Sequence, residues 1–170
     1  TTKPEDRSRV IIGGNFVWAY GGFDSYVVAK EVEEQISAPV TGRMKEEERG
    51  MDINHLDWMY WSEWINNLSR FKYGVQLGTP SAGTFNLNCA YHGIPCVGYN
   101  NVNTQKCHPD LSVDVGDIGK AKLLMSKLKN DKSFYNECSN TAKQKYNECF
   151  GEKQYIYTMK RIIQKVIEND

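Results

Sequence analysis

Short apolar runs alternate with amphipathic stretches along most of the chain. Runs rich in β-branched, aromatic or alternating apolar residues predict strands over residues 9–12, 37–42, 52–58, 73–77, 96–99 and 111–115. Apolar positions at helical spacing predict helices over residues 24–35, 62–70, 84–92, 118–128, 133–149 and 154–168. Strands that alternate with helices favour a parallel sheet with right-handed crossovers. We therefore predict an α/β protein, doubly wound, with a mostly parallel sheet of about six strands and helices on both faces.

Local signals mark where several of these helices begin and end. Ser62 is the predicted N-cap of the second helix, and Asp117 is that of the fourth. The third helix is predicted to end at Gly93, because glycine supplies a C-terminal cap and the proline two residues later cannot continue a helix. Four apolar residues of the last helix share one face and are predicted to point inward: Ile156, Met159, Ile163 and Val166.

The chain length of 170 residues fits one domain. We expect this domain to cover residues 9–170, with a C-terminal helix at 154–170. Residues 1–8 are polar, as is typical of a linker or tail.

Composition and charge exclude several classes of function. The 21 Lys and Arg residues balance 21 Asp and Glu residues, so the chain lacks the basic excess that nucleic-acid binding requires. No apolar run approaches the roughly 20 residues that cross a bilayer, so no membrane span is predicted. Five cysteines are an odd number in a domain that needs no disulfides, which indicates reduced thiols and a cytoplasmic location.

Well-known catalytic and metal-binding signatures are missing from the chain. Cys89, Cys96, Cys107 and His108 are not spaced as a structural zinc site, so we expect buried apolar cysteines and no metal. The first glycine loop lacks the Gly-x-Gly-x-x-Gly spacing of dinucleotide enzymes, which disfavours NAD binding. The chain also has neither a Walker loop nor a serine-hydrolase elbow.

The loops that follow strands hold the candidate binding residues, because ligands bind beyond the carboxyl ends of parallel strands. The loop at 78–83 enters a helix at Thr84 and so offers free backbone N–H groups and a positive dipole end to an anion such as a diphosphate. The hydroxyls of Ser81 and Thr84 either add hydrogen bonds to that anion or serve as ordinary loop and capping groups.

Two other loops carry glycines or basic residues. Gly13, Gly14 and Asn15 follow the first strand, where the glycines either approach a ligand or form a tight turn. Arg43 and Lys45 follow the second strand and either meet a phosphate or belong to the solvated charge run that continues through 46–48.

An aromatic group lies between the third strand and the second helix. Such residues either stack on a sugar or pack in the core or at a domain interface. They are Trp58, Tyr60, Trp61 and Trp64.

The segment from Tyr73 to Val97, YGVQLGTPSAGTFNLNCAYHGIPCV, resembles the donor-binding core of the C-terminal domain of GT-B glycosyltransferases. In that family a strand leads to a glycine loop, a helix and a Gly-x-Pro-x-Val segment. Residues 114–117 are similar to the Pro-x-Gly-Asp segment before the family's next helix, and residues 128–146 are similar to its Leu-x-x-Asp-x-x-x-Tyr continuation. The resemblance implies a Rossmann-like half-domain that binds the nucleoside-diphosphate part of an activated sugar.

The same resemblance implies roles for individual residues. Asn88 stands where many members carry the glutamate that holds the donor ribose, and an amide is a weaker acceptor than a carboxylate. Asn15 and the glycines at 21–22 stand where many retaining members place an arginine and a lysine near the phosphates. Backbone amides of the helix entry would meet the diphosphate. The expected diphosphate contacts are Gly13, Gly14, Asn15, Arg43, Lys45, Ser81, Gly83, Thr84 and Phe85.

A GT-B enzyme has two Rossmann-like halves, and the acceptor site and usually the catalytic residues are contributed across the cleft. The resemblance covers one half, so we expect either a fragment of a longer protein whose N-terminal half is missing, which we favour, or a donor-type domain that has lost or borrows its partner. No catalytic residue is assigned. The expected ligand is a nucleotide sugar as substrate, with no further cofactor. The alternatives are a non-catalytic nucleotide- or sugar-binding module, which the asparagines at 15 and 88 favour, and a sugar-nucleotide epimerase half-domain.

Overall fold

A computed structural model describes residues 3–13, 21–39, 50–78 and 84–168. Its centre is a six-stranded sheet in which every neighbouring pair is parallel. The strands are β1 (Ser8–Ile12), β2 (Ile36–Pro39), β3 (Ile53–Leu56), β4 (Phe71–Gln76), β5 (Cys96–Tyr99) and β6 (Ser112–Val113), in the order β3-β2-β1-β4-β5-β6. The predicted α/β fold class is confirmed.

Six α-helices surround the sheet in the part of the chain that the structure describes. They are α1 (Gly22–Ala29), α2 (Trp61–Leu68), α3 (Thr84–His92), α4 (Ile118–Asn130), α5 (Lys132–Cys149) and α6 (Glu152–Glu168). Short 3₁₀ helices lie at Pro4–Asp6, Lys30–Val32, Asn103–Cys107 and Pro109–Leu111. The predicted first helix is therefore shorter than expected, because its last turn is a separate 3₁₀ segment.

The central strands are buried on both faces, as parallel strands usually are. Val10 and Ile12 of β1 point into a core that they share with residues of α1 and α4. Ile11 points to the opposite face, where it packs with Phe85 and Cys89 of α3. This alternation follows from the two-residue period of a strand.

Two of the three predicted helix-end signals are confirmed, and the predicted N-cap of the second helix is wrong by two residues. Asp117 caps α4 by accepting the Lys120 N–H at 2.9 Å, as predicted. Gly93 ends α3 with a φ of 65°, a conformation that favours glycine. However, α2 begins at Trp61 instead of after Ser62, because the Glu63 carboxylate accepts the Tyr60 N–H at 3.0 Å and makes Tyr60 the N-cap.

The inward orientation predicted for α6 is wrong. Ile156, Met159, Ile163 and Val166 are 43%, 38%, 53% and 59% exposed, and no described residue of α6 is buried. The helix packs beside α5, and none of its described residues belongs to a core cluster. Periodicity identifies which residues share a face, but it does not say what covers that face.

The start of the chain contributes to the domain more than its polar composition indicates. β1 already begins at Ser8, and Arg7 is buried with its Nη2 donating to the His92 carbonyl at 3.0 Å. The domain boundary at residue 9 stays a prediction. Among the described residues, no helix combines the length and apolarity that crossing a membrane requires.

Candidate functional site

The strand order places a crevice at the carboxyl ends of β1 and β4. From this neighbouring pair the sheet continues to β2 and β3 on one side and to β5 and β6 on the other. Ligands of doubly wound sheets bind at such a switch point, because the helices that follow the two strands lie on opposite faces and leave a gap between their loops.

The start of α1 is held against the end of β4. Gly21 precedes α1 with a φ of 78°, and a Cβ at this position would overlap the Leu77 carbonyl oxygen. The buried Ser25 hydroxyl accepts the Leu77 N–H at 2.9 Å. Glycine is required at residue 21 both for its backbone conformation and for this close approach.

The start of α3 is held against the end of β1 in a similar way. The Gly13 N–H donates to the Val75 carbonyl at 2.9 Å, which continues the pairing of β1 with β4 by one residue. A Cβ on Gly13 would overlap the ring of Phe85 in the first turn of α3. The ends of both strands and the starts of both helices therefore converge on one crevice.

The structure brings four of the predicted site residues towards this crevice. Gly13 ends β1, Thr84 begins α3 and is exposed, and Phe85 is 6% exposed beneath Gly13. Asn88 lies one helical turn after Thr84 and is 8% exposed. The other predicted residues lie outside the described part of the chain: Gly14, Asn15, Arg43, Lys45, Ser81 and Gly83.

No protein-family model matches the chain, and no curated protein matches it in sequence. Solved structures do match. Sucrose-phosphate synthase from Thermosynechococcus elongatus has a TM-score of 0.75 and 14% identity, over 99% of this chain and 47% of that one. TarM has a TM-score of 0.69 and 12% identity. The match covers 91% of this chain and 35% of the TarM chain. Anabaena HepE, in complex with UDP and glucose, has a TM-score of 0.70 and 10% identity. The match covers 98% of this chain and 50% of the HepE chain.

The chain has the fold of one half of a GT-B glycosyltransferase. It spans between 35% and 50% of the length of these three structures. At these sequence identities the likeness concerns the fold.

The starts of α1 and α3 differ in charge. The first turn of α1 contains Asp24, whose carboxylate accepts the Tyr99 hydroxyl at 3.3 Å. Burial and this carboxylate raise the pKa of Tyr99, so the phenol stays a neutral donor. The first turn of α3 contains no acidic residue. Because the helix dipole is not offset there by a side-chain charge, the start of α3 is the better place for an anion.

The orientation predicted for α3 about its own axis is wrong in part. Helical spacing that turns Thr84 and Asn88 to the ligand side predicts that Leu87, Ala90 and Tyr91 face the sheet, but Phe85 and Cys89 pack on it. Leu87 and Ala90 instead pack towards α5 and the 3₁₀ helix at Asn103–Cys107, and Tyr91 is 52% exposed. Nearly every side of α3 is covered, so the sequence pattern does not distinguish the sheet side.

A buried polar network behind α3 was not predicted. The Asn86 amide donates to the Gln105 carbonyl oxygen, and the Gln105 amide donates to the carbonyls of Cys96 at 3.0 Å and Leu111 at 3.2 Å. His108 Nε2 donates to the Asn86 carbonyl at 3.0 Å, and burial lowers the pKa of His108 to about 4. The network joins α3 to β5 and to the segment before β6. No sequence signal sets these three residues apart, because Gln105 and His108 stand among other polar residues in the chain.

The aromatic group after β3 is mostly at the surface. Trp58, Tyr60 and Trp61 are 68%, 68% and 63% exposed, and the first two rings form an edge-to-face pair at 4.8 Å. Only Trp64 packs against the core. Core packing is thus excluded for the three exposed residues, while sugar stacking and interface packing stay predictions.

No metal centre is evident in the part of the chain that the structure describes. No three of its His, Cys, Asp and Glu side chains come together in a way that would hold an ion. All five cysteines are free thiols, and four of them are buried: Cys89, Cys96, Cys107 and Cys138.

Proposed function

We propose that the chain is the donor-binding, C-terminal half of a glycosyltransferase that transfers a sugar from a nucleoside-diphosphate sugar. The observation that carries this proposal is the convergence of two strand ends and two helix starts on one crevice, where Gly13 and Gly21 leave no room for a side chain. Close backbone packing of this kind suits a ligand that is recognised by main-chain N–H groups.

The diphosphate is proposed to lie at the start of α3. Amides of Gly83, Thr84 and Phe85 would donate to its oxygens, and the absence of an acidic residue from the first turn leaves the helix dipole free to stabilise the negative charge. Asn88 lies one turn further along the same side of the helix, where its amide would donate to or accept from a ribose hydroxyl.

Two of the similar structures support this class of donor. HepE has been solved in complex with UDP-glucose, and a TarM variant has been solved in complex with UDP. On this basis we propose that the chain binds a nucleoside-diphosphate sugar as the donor. The free cysteines also support the expected reducing, cytoplasmic location.

A second half is proposed to supply the acceptor site and the catalytic residues. The similar structures are two to three times as long as the matched region, since the matches cover 35% to 50% of them. The exposed apolar face of α6 offers a surface that such a half would cover, because large apolar patches on a domain usually mark an interface.

Calorimetric titration of the 170-residue chain with UDP-, GDP- and TDP-glucose tests donor binding. We expect one of these donors to bind, and Asn88→Ala to weaken it about fivefold, since one neutral hydrogen bond contributes about 1 kcal/mol. Asn140→Ala, at an exposed position on α5, is the matched control and should bind as the wild type does. Absence of binding for all three donors would contradict the proposal, and unchanged binding by Asn88→Ala would remove only the ribose assignment.

Product analysis distinguishes the proposed transferase from the two alternatives. When the chain is assembled with the proposed second half, a transferase yields free nucleoside diphosphate and a new glycoside. An epimerase yields an altered donor, and a non-catalytic module yields neither product. We expect the first result.

A further inference from the structure

A second cavity, of about 620 Å³, lies at the opposite, amino-terminal edge of the sheet. Its walls come from the segment before β1, the start of β4, the end of α4 and the start of α5. Strands β1 and β4, which separate the two edges, contain 5 and 6 residues. At the usual rise of a strand this places the cavity about 20 Å from the crevice. A ligand bound here would not occupy the donor site.

Arg7 lines this cavity and has unused hydrogen-bonding capacity. Its side chain is 8% exposed. Nη2 donates to the His92 carbonyl, and the guanidinium also interacts with the Tyr135 hydroxyl. Nε and Nη1 are buried and meet no acceptor in the described part of the chain. A guanidinium stays charged in proteins. A buried charged donor without a partner is costly, so the position is best explained by an acceptor that the described residues do not provide.

Three lysines add positive charge around Arg7. Lys72, Lys129 and Lys132 line the same cavity, whereas Glu5 is the only acidic residue among its described lining residues. Lys129 is paired with the Glu33 carboxylate at 2.5 Å. No carboxylate among the described residues pairs with Lys72 or Lys132. The chain as a whole has zero net charge, so this local excess is a specific feature of the cavity.

Aromatic and hydroxyl groups complete the wall next to the charges. Lys72 Nζ lies 5.2 Å from the ring centroid of Tyr73 and 5.7 Å from that of Tyr135. The Tyr135 hydroxyl donates to the Lys72 carbonyl at 3.1 Å, which fixes the ring at the cavity wall. The side of the cavity nearest Arg7 is therefore cationic, and it is held in place by packing.

We propose that this cavity binds a small phosphomonoester, with the phosphate on Arg7, Lys72 and Lys132. Guanidinium and ammonium groups form their strongest hydrogen bonds to phosphate and carboxylate oxygens. The volume exceeds what a phosphate ion needs and falls within the range of about 300–1,000 Å³ that is typical of small-molecule sites. The remaining space suits a compact polar group such as a sugar. The site does not depend on the proposed donor function.

Calorimetric titration of the 170-residue chain with inorganic phosphate and ribose 5-phosphate tests this site, with ribose as the uncharged probe. We expect both phosphates to bind and ribose not to bind. Lys132→Gln should weaken binding about tenfold, because it removes one charge-assisted contact. Lys132 is exposed at the start of α5, so the variant should fold. Lys160→Gln, exposed on α6, is the matched control and should bind as the wild type does.

Three results would overturn the proposal. The first is that neither phosphate binds to the wild-type chain. The second is that Lys72→Gln and Lys132→Gln both bind phosphate with unchanged affinity. The third is that Asn88→Ala weakens phosphate binding while Lys132→Gln does not, which would place the phosphate at the crevice. Arg7→Ala is not used to decide, because Arg7 also holds the end of α3 through the His92 carbonyl.

Discussion

His108 should make the fold sensitive to mild acid, and His108→Gln should remove that sensitivity. The imidazole is 2% exposed, with Nε2 donating to the Asn86 carbonyl. Its Nδ1 atom is buried and has no partner among the described residues. Protonation would place a charged N–H where no acceptor is present, which is why burial lowers the pKa of His108 from 6.5 to about 4.

The size of the effect follows from linkage between proton binding and folding. Between pH 6.5 and about 4 the unfolded chain binds the proton and the folded chain does not, so stability falls as the pH falls through this window. Each pKa unit corresponds to about 1.4 kcal/mol, so the full loss is about 3 kcal/mol, of which about 2 kcal/mol is reached by pH 5. The total free energy of unfolding of a typical domain is only about 5–15 kcal/mol.

Urea unfolding at pH 7, 6 and 5 measures this loss, with the four tryptophans as the fluorescent probe. Glutamine keeps a donor for the Asn86 carbonyl but does not titrate. Burial also lowers the pKa of His92. His92 is present in both proteins and affects the pH dependence of their stability equally, so the difference in unfolding free energy between wild type and variant reports on His108 alone. We expect the stability advantage of the wild type to shrink by about 2 kcal/mol between pH 7 and pH 5. If the difference in unfolding free energy were the same at all three pH values, the buried His108 would not be the cause of the acid sensitivity.

Three further substitutions test the packing around the crevice and the surface of α6. Gly13→Ala should cost about 1–3 kcal/mol of unfolding free energy, because the new methyl group overlaps the Phe85 ring. Ser25→Ala should cost about 1–3 kcal/mol, because it leaves the buried amide after β4 without an acceptor. Ile163→Glu, at a position that is 53% exposed, should change stability by no more than about 0.5 kcal/mol. Urea unfolding measures all three.

Each of these substitutions has a matched control in the same protein. Gly119→Ala on α4 meets nothing closer than 3.8 Å and should be neutral or stabilising. Ser62→Ala, exposed on α2, should cost little. Leu128→Ala, buried on α4, should cost about 2–5 kcal/mol, in contrast to the exposed α6 position. Equal losses within any pair would mean that burial and close contact are not the cause.

The parts of the fold that the sequence predicted well are those with strong local signals. The helix at Thr84–His92 and the strand at Cys96–Tyr99 have the predicted bounds, because Gly93 and Pro95 separate them. Six parallel strands also follow from the alternation of strands and helices. The face of α6 and the orientation of α3 were not predictable in this way, since both depend on which elements cover a helix.

The candidate site also has features that the local sequence predicts and features that depend on tertiary contacts. The sequence identified the glycine loop and helix start at Thr84, because small residues before a helix are a local pattern. It did not indicate that Gly21 would approach Leu77, or that Gly13 would approach Phe85, because these contacts require β1 and β4 to be neighbours. The network of Asn86, Gln105 and His108 likewise joins residues whose proximity arises only after folding.

Amide chemical shifts during a titration with UDP-glucose measure where the donor binds. We expect the shifts of Gly13, Gly21, Thr84 and Phe85, at the carboxyl ends of β1 and β4, to change and saturate together. Amides at the amino-terminal edge, such as that of Lys132, should stay unchanged. Saturable changes confined to the amino-terminal edge, or no changes at any donor concentration, would contradict a donor site in this crevice.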